Sequence, residues 1–268
     1  MDHLDRFAQD ALRRVESGYY RSAPPPGALP PVQRPRFREA IERARRGGRY
    51  AVIAELKPRS PSAAGGDGDL LRGRDPRHVL KAYAEAGAVG ISVLTDPDHF
   101  GGSLAFIGAA AQTGLPVLMK DFVLDPVQLD ACARWGGSAV LLILTLFRRG
   151  YARCSLGEMI AEAHARALEV LLEVSDEGEY EEALTTRADM IGINHRDLAT
   201  LELDLGKTER ILRRHPKDRI VWALSGIETP DKIRRLWEAG ADAFLVGTSL
   251  LRTTKLKNRL QSLIYGGG

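Results

Sequence analysis

A chain of 268 residues, 44% of them hydrophobic and 27% charged, is long enough to bury one large core and falls in the size range of single-domain α/β barrels. Its 38 basic and 35 acidic residues leave a formal charge of +3 with no basic block, which argues against a nucleic-acid surface and stays compatible with a small anionic ligand. The two cysteines, Cys132 and Cys154, stand in no metal-like or redox-like spacing, so neither a disulfide framework nor a zinc site is expected, and both are read as buried thiols in a reducing compartment. The opening "MDHLDRFAQDALRR" carries acids early and lacks an apolar signal core, and no 18-residue apolar run follows. A soluble, cytoplasmic protein is expected.

The first predicted elements are an N-terminal helix, an extended connector and a second helix. Residues 22–35, "SAPPPGALPPVQRP", hold six of the 14 prolines and can be neither helix nor central strand. The following "RFREAIERARR" is an amphipathic helix with Phe37 and Ile41 on one side. Residues 1–47 therefore read as a helical extension set before a main fold of residues 48–268.

That main fold repeats one unit: an apolar run, a loop of Gly, Pro, Ser or Asp, then a helical stretch. The runs are 51–56, 88–94, 116–119, 138–144, 169–174, 189–193, 220–224 and 242–246. Runs apolar at nearly every position suit strands covered on both faces, and stretches such as "DPRHVLKAYAEAG" and "ETPDKIRRLWEAG" are long enough for crossover helices. An open doubly wound sheet would fit the alternation too. Eight units at regular spacing, with no glycine-rich dinucleotide fingerprint after the first strand, favour a closed (β/α)8 barrel, the TIM barrel.

In "AVIAELKPRS" a carboxylate and an amine, Glu55 and Lys57, lie two positions apart at the end of the first run. Alone they are a strand-end ion pair, common and uninformative. Barrel active sites, however, sit at the C-terminal ends of the strands. The polar residues closing the other runs are Ser92, Lys120, Glu173, Asn194, Ser225 and Gly247. Two lysines, two glutamates and an amide converging on one mouth exceed what chance pairing supplies. A lysine partly desolvated near a second cation, as expected of Lys120, releases its proton more readily and suits acid or Schiff-base chemistry. Glu173, ending an apolar strand, is a candidate general base. "LSGIETP" and "LVGTSLL", after the seventh and eighth runs, offer glycine-freed N–H groups where barrels hold phosphate. Ser60 and Ser62 in "KPRSPS" could cap that phosphate or simply form a rigid turn.

Taken in order, "IAELKPRSPS", "ISVLTDPDHFGGSL", "PVLMKDFVLDPVQLDACARWGGSAVLLI", "LLEVSDEGEYEEAL", "IGINHRDLATLELDL" and "LSGIETPDKIRRLWEAGADAFLVGTSLL" resemble the indole-3-glycerol phosphate synthase family of tryptophan biosynthesis. The resemblance spans roughly residues 35–252. It implies a barrel with extra N-terminal helices, needing neither metal nor organic cofactor, that converts 1-(2-carboxyphenylamino)-1-deoxyribulose 5-phosphate into indole-3-glycerol phosphate, carbon dioxide and water. By motif, Lys120 is implied as the acid protonating the ketone oxygen and Glu173 as the base of the later dehydration. Lys57, steered by Glu55, is implied to bind the anionic substrate and share acid duty, and Asn194 to position the reacting hydroxyl. Ser60, Ser225, Gly226, Gly247 and Thr248 are implied around the phosphate, Arg196 at the mouth and Phe100 against the substrate. The partner is then a small phosphorylated molecule, with neither nucleic acid nor membrane, and the chain is expected to be monomeric.

Three positions depart from the family pattern. Leu224 stands where Glu is usual, His195 where Asn or Ser is usual, and Ser175 where His is common. Leucine accepts no hydrogen bond, so a lysine that relied on that carboxylate is expected to lose its partner at a cost of roughly 1 to 3 kcal/mol, and activity to be reduced. Two alternatives follow. One is a repurposed barrel that binds a phosphorylated aromatic ligand without turnover; the other is a related phosphate-binding isomerase, against which "KDFVLDP" and "SPS" speak. Trp222 is expected as barrel packing.

Overall fold

A computed structural model describes residues 2–24, 34–60 and 68–266. Ser62, the middle of the proline-rich connector and the last two glycines lie outside the described residues. Eight parallel strands close on themselves in sequence order: β1 (Ala51–Leu56), β2 (Gly90–Leu94), β3 (Val117–Lys120), β4 (Ala139–Ile143), β5 (Glu169–Val174), β6 (Met190–Asn194), β7 (Ile220–Leu224) and β8 (Ala243–Val246). The described helices are α1 (His3–Glu16), α2 (Phe37–Arg46), α3 (Pro76–Glu85), α4 (Pro97–Phe100), α5 (Ala105–Ala111), α6 (Pro126–Trp135), α7 (Leu144–Arg148), α8 (Leu156–Ala165), α9 (Glu177–Thr185), α10 (Lys207–Arg214), α11 (Pro230–Glu238), α12 (Thr248–Leu251) and α13 (Leu256–Tyr265). The eight-unit barrel expected from the sequence is the observed fold.

Local chemistry explains the helix starts. Asp75, Asp96, Asp125 and Thr229 each cap a helix whose next residue is proline, so the side chain satisfies a first-turn N–H and the missing proline N–H costs nothing. Alternation along the strands then divides the side chains. Ala54, Leu56, Ile91, Val93, Val170, Leu172 and Val174 pack outward with the helices. Ile53, Leu118, Leu141, Leu171, Met190, Trp222, Leu224 and Leu245 fill the barrel interior.

The extension uses both ends of the barrel. At the N-terminal end α2 acts as a plug: the Phe37 ring meets that of Trp222 at a tilt, 5.1 Å between centroids, and Gly90 is required beneath it, because a Cβ there would lie 2.3 Å from the Phe37 ring. Its first turn has no cap of its own; the buried Glu169 carboxylate of β5 accepts the Phe37 and Arg38 N–H groups at 2.6 and 3.3 Å instead. Trp222 is packing, as expected. Cys132 is buried and its thiol is pushed up to about 12 by that burial, whereas Cys154 is only half-buried, because it sits in the exposed turn before α8 rather than on a helix's inner face. Among the described residues, no helix is long and apolar enough to cross a membrane.

Candidate active site

Glu55, Lys120, Glu173 and Asn194 fall on the inward half of the alternation, at or next to the C-terminal ends of β1, β3, β5 and β6. Lys57 follows β1 directly. The structure brings these five to one mouth. Lys57 Nζ lies 3.4 Å from Glu55 Oε1, Lys120 Nζ lies 4.0 Å from Glu55 Oε2, and Asn194 Nδ2 donates to Glu173 Oε1 at 2.7 Å. Asn194 cannot rotate freely, since its Oδ1 accepts the Arg196 N–H at 3.0 Å. One position differs from expectation. Ser92 does not end its strand; β2 continues to Leu94, and Ser92 is fully buried one layer below the mouth, in register with Glu55.

Burial sets the electrostatics. Glu173 is 3% exposed, and removal from water raises its carboxyl pKa, an effect that the Lys120 charge and the Asn194 amide oppose in part. The Lys57 amine is lowered, first by burial and further by the neighbouring Lys120 charge, while Glu55 works the other way. Neither lysine is left unpaired by the replacement at 224, contrary to expectation: one carboxylate, Glu55, serves both. Leu224 itself is 1% exposed on the inner face, its methyl lying 2.8 Å from where a Cβ on Gly192 would stand. His195 is turned away from the mouth; its Nδ1 meets the Ser225 carbonyl at 2.9 Å and its Nε2 the Thr208 hydroxyl at 2.7 Å, tying β6 to the next loop and to α10. Ser175 bonds to Glu179 through both its N–H and its hydroxyl.

The loops after β7 and β8 are joined by the Ser249 hydroxyl, which donates to the Ile227 carbonyl at 3.4 Å. Ser225 and Gly226 both take left-handed backbone conformations, with φ of 69° and 72°. That is costly for serine and marks a loop whose shape its surroundings impose. Gly247 precedes α12, which Thr248 begins, and its role is partly steric: a Cβ at Gly247 would lie 2.7 Å from Glu55 Oε1. Ser60 and Phe100 stand at the rim, both partly exposed, with Arg59 N–H donating to the Phe100 carbonyl at 2.9 Å.

The N-terminal helix expected from the sequence is α1, but its place over the mouth is what sequence reading missed. Leu4 lines a cavity of about 300 Å³ together with Ile143, Glu173, Asn194 and Arg196. Phe7 stacks 5.0 Å from Phe122 and meets His99 edge-on at 4.6 Å, so α1 lies over the C-terminal face. A buried ionic knot anchors it: Arg14 pairs with Asp96 at 3.0 Å and Asp121 at 3.4 Å, and Asp121 also accepts the Tyr20 and Thr95 hydroxyls at 2.9 and 2.6 Å. Asp121 directly follows Lys120. The available signal was the apolar stripe Leu4, Phe7, Ala8, Ala11 and Val15, which demands a partner surface.

The sequence model of the indole-3-glycerol phosphate synthase family matches residues 28–263. The chain is similar to the indole-3-glycerol phosphate synthase of Haloarcula marismortui, 38% identical over 243 residues spanning 90% of this chain and 83% of that protein. It is likewise similar to that of Thermococcus kodakarensis, 41% identical over 224 residues, 82% of this chain and 94% of that one. Among solved structures, thiamine phosphate pyrophosphorylase from Pyrococcus furiosus aligns with a TM-score of 0.56 at 14% identity, covering 80% of this chain and 93% of that one, a likeness of fold alone.

Proposed function

The chain belongs to the indole-3-glycerol phosphate synthase family, whose members are carboxy-lyases, and we propose that Lys57, Lys120, Glu55, Glu173 and Asn194 divide its reaction among them. The aryl carbon that carries the carboxylate attacks the ketone carbon, and Lys120 delivers a proton to the ketone oxygen as the new bond forms. Carbon dioxide then leaves from that aryl carbon with its bonding pair returned to the ring. Glu173 then removes a proton from the methylene carbon beside the nitrogen while Lys57 protonates the hydroxyl, which departs as water as the C–O bond breaks and the ring double bond forms, completing the indole. A buried carboxyl with a raised pKa is suited to taking a proton near neutral pH. Lys57, paired with Glu55, holds the substrate's negative charge and shares the acid role. Asn194, fixed between Glu173 and the Arg196 N–H, orients the reacting hydroxyl.

The convergence of two lysines on one carboxylate, opposite an amide-bound glutamate, carries this reading. Ser60, Ser225, Gly226, Gly247 and Thr248 are taken as the phosphate end, Arg196 as support for the mouth and Phe100 as a face for the aromatic ring. Within the N-terminal extension, residues 1–47, α1 serves as roof and α2 as plug of the barrel of residues 48–268. Since a single chain supplies every group named here, it is taken to act as a monomer, in the cytoplasm.

The test is turnover of the carboxyphenylamino deoxyribulose phosphate, followed by indole fluorescence. Lys120→Ala is expected to cut kcat by about 100- to 10,000-fold, the usual contribution of a positioned acid. A variant that kept most of its activity would sink the assignment. Leu224 is the one feature favouring a binder without turnover, and saturable binding with no product from the native protein would establish that reading.

A further inference from the structure

Five buried polar side-chain atoms among the described residues have no hydrogen-bond partner, and two of them, Ser92 Oγ and Glu55 Oε2, belong to residues directly opposite each other on β1 and β2. Both side chains face the barrel interior, because the residues on either side of each, Ala54 and Leu56, Ile91 and Val93, pack outward. The direction of the Glu55 carboxylate narrows the relation further. Its Oε1 lies toward β8, beside Gly247 and Lys57, and its Oε2 points toward Lys120 on β3. A side chain reaching from β1 toward β3 crosses the inner face of β2, and the residue beneath that crossing is Ser92. On its far side Ser92 is in register with Leu118, which offers no acceptor.

A buried hydroxyl and a buried carboxylate oxygen that each lack a hydrogen-bond partner are costly, and they are chemically complementary, one a donor and the other an acceptor. We propose that Ser92 is a positioning residue for the reaction: its hydroxyl donates to Glu55 Oε2 in the working enzyme and holds that carboxylate where it serves both Lys57 and Lys120. This rests on the role given to Glu55 above. It also explains how one carboxylate manages two lysines in a chain where position 224 contributes none. A hydrogen bond from the floor of the mouth fixes the carboxylate that its two cationic neighbours would otherwise pull in opposite directions.

The Glu55 carboxylate holds the Lys57 amine protonated against the effect of burial, so loosening that carboxylate lets Lys57 lose its proton at lower pH. Ser92→Ala and Ser92→Cys are therefore expected to lose about tenfold in kcat/KM near neutrality and to move the alkaline limb of its pH profile downward by about one unit, the two being the same free energy. The cysteine variant keeps the side-chain volume and replaces the hydroxyl by a weak donor, so it reports on the bond even where alanine weakens the fold. Glu55→Gln is run beside them, alone and combined with Ser92→Ala. The expected result is that Ser92→Ala adds nothing once Glu55 is Gln. Superimposable pH profiles for wild type and both Ser92 variants, with Glu55→Gln impaired, would overturn the proposal while leaving the role of Glu55 intact. An unimpaired Glu55→Gln would overturn that role, and the positioning claim with it.

Discussion

Replacing Gly247 by alanine separates two things a glycine can do at the mouth of a barrel. Its φ of −126° lies outside the left-handed region, so a positive φ does not enter. Space does: the added Cβ would stand 2.7 Å from Glu55 Oε1, 3.1 Å from Glu55 Cβ and 3.3 Å from Glu55 Cδ. With ordinary contact beginning at 3.4 Å, the carboxylate oxygen has to retreat by 0.7 Å. The Lys57 link, 3.4 Å at rest, then passes beyond ion-pair distance unless the lysine follows. Misplacing a catalytic group by about 1 Å costs roughly 100-fold, so a fall of about 10- to 100-fold in kcat is expected, with a loss of about 1 to 3 kcal/mol in stability from overpacking. The assay is steady-state kinetics over pH with urea unfolding in parallel. If instead KM rises while kcat and its pH profile stay unchanged, Gly247 serves the phosphate alone and the steric argument is refuted.

Leu224→Glu is expected to raise kcat by about tenfold, by giving the lysines a second carboxylate, and to lower stability by about 1 to 3 kcal/mol, because Leu171 and Gly192 offer a buried carboxylate no donor on that side; an unchanged kcat would show that position 224 does not limit turnover. The kcat/KM profile is expected to be a narrow bell: activity falls with acid as Glu173, raised above the usual carboxylate range, takes up a proton, and falls with alkali as Lys57, held below the usual lysine range, loses one. Glu173→Gln should cost about 100- to 10,000-fold in kcat yet unfold at higher denaturant at neutral pH. A carboxyl whose folded pKa is raised stabilises only below its unfolded pKa, and that contribution is lost as pH rises through the window up to its folded value. Equal midpoints for the two proteins at pH 7 would contradict the burial argument.

Much of the barrel was readable because its strands are covered on both faces. Residues 51–56, 169–174 and 220–224 were bounded from their apolar runs alone, and the remaining strands begin or end within two residues of expectation. Glu55, Lys57, Lys120, Glu173 and Asn194 were legible for the same reason: a charged or amide side chain closing an apolar run in a closed barrel finds water only at the mouth. Ser92 was misplaced because the rule treats a polar residue as the end of its run, whereas inside a barrel a polar residue can face inward with two strand residues still to come. The stripe on α1 called for a partner surface, but neither that surface nor the role of Arg14 could be read. Its partners Asp96 and Asp121 are 82 and 107 residues away in sequence, and nothing local in "DALRRVE" names them. Gly247 was legible as a glycine but not as clearance for Glu55, since that depends on β8 closing against β1.

The charge balance of the mouth gives Leu224 a meaning beyond a missing group. Lys57, Lys120 and Arg196 face Glu55 and Glu173, so the ionised site carries an excess of one positive charge, and the substrate brings a carboxylate and a phosphate. In a largely buried cavity each added negative charge weakens the binding of an anion and, at the same time, holds the lysines protonated. A carboxylate at 224 therefore does two opposing things: it supports the acids and repels the substrate. Leucine at that position favours affinity over lysine support and leaves Glu55 as the one counter-ion for both amines. Leu224→Glu should accordingly raise KM along with kcat, and kcat/KM should gain less than kcat alone. Under the proposed roles the inner wall is one electrostatic unit, in which the residue at 224 would set how tightly the anion is held and Glu55 how well the lysines deliver their protons.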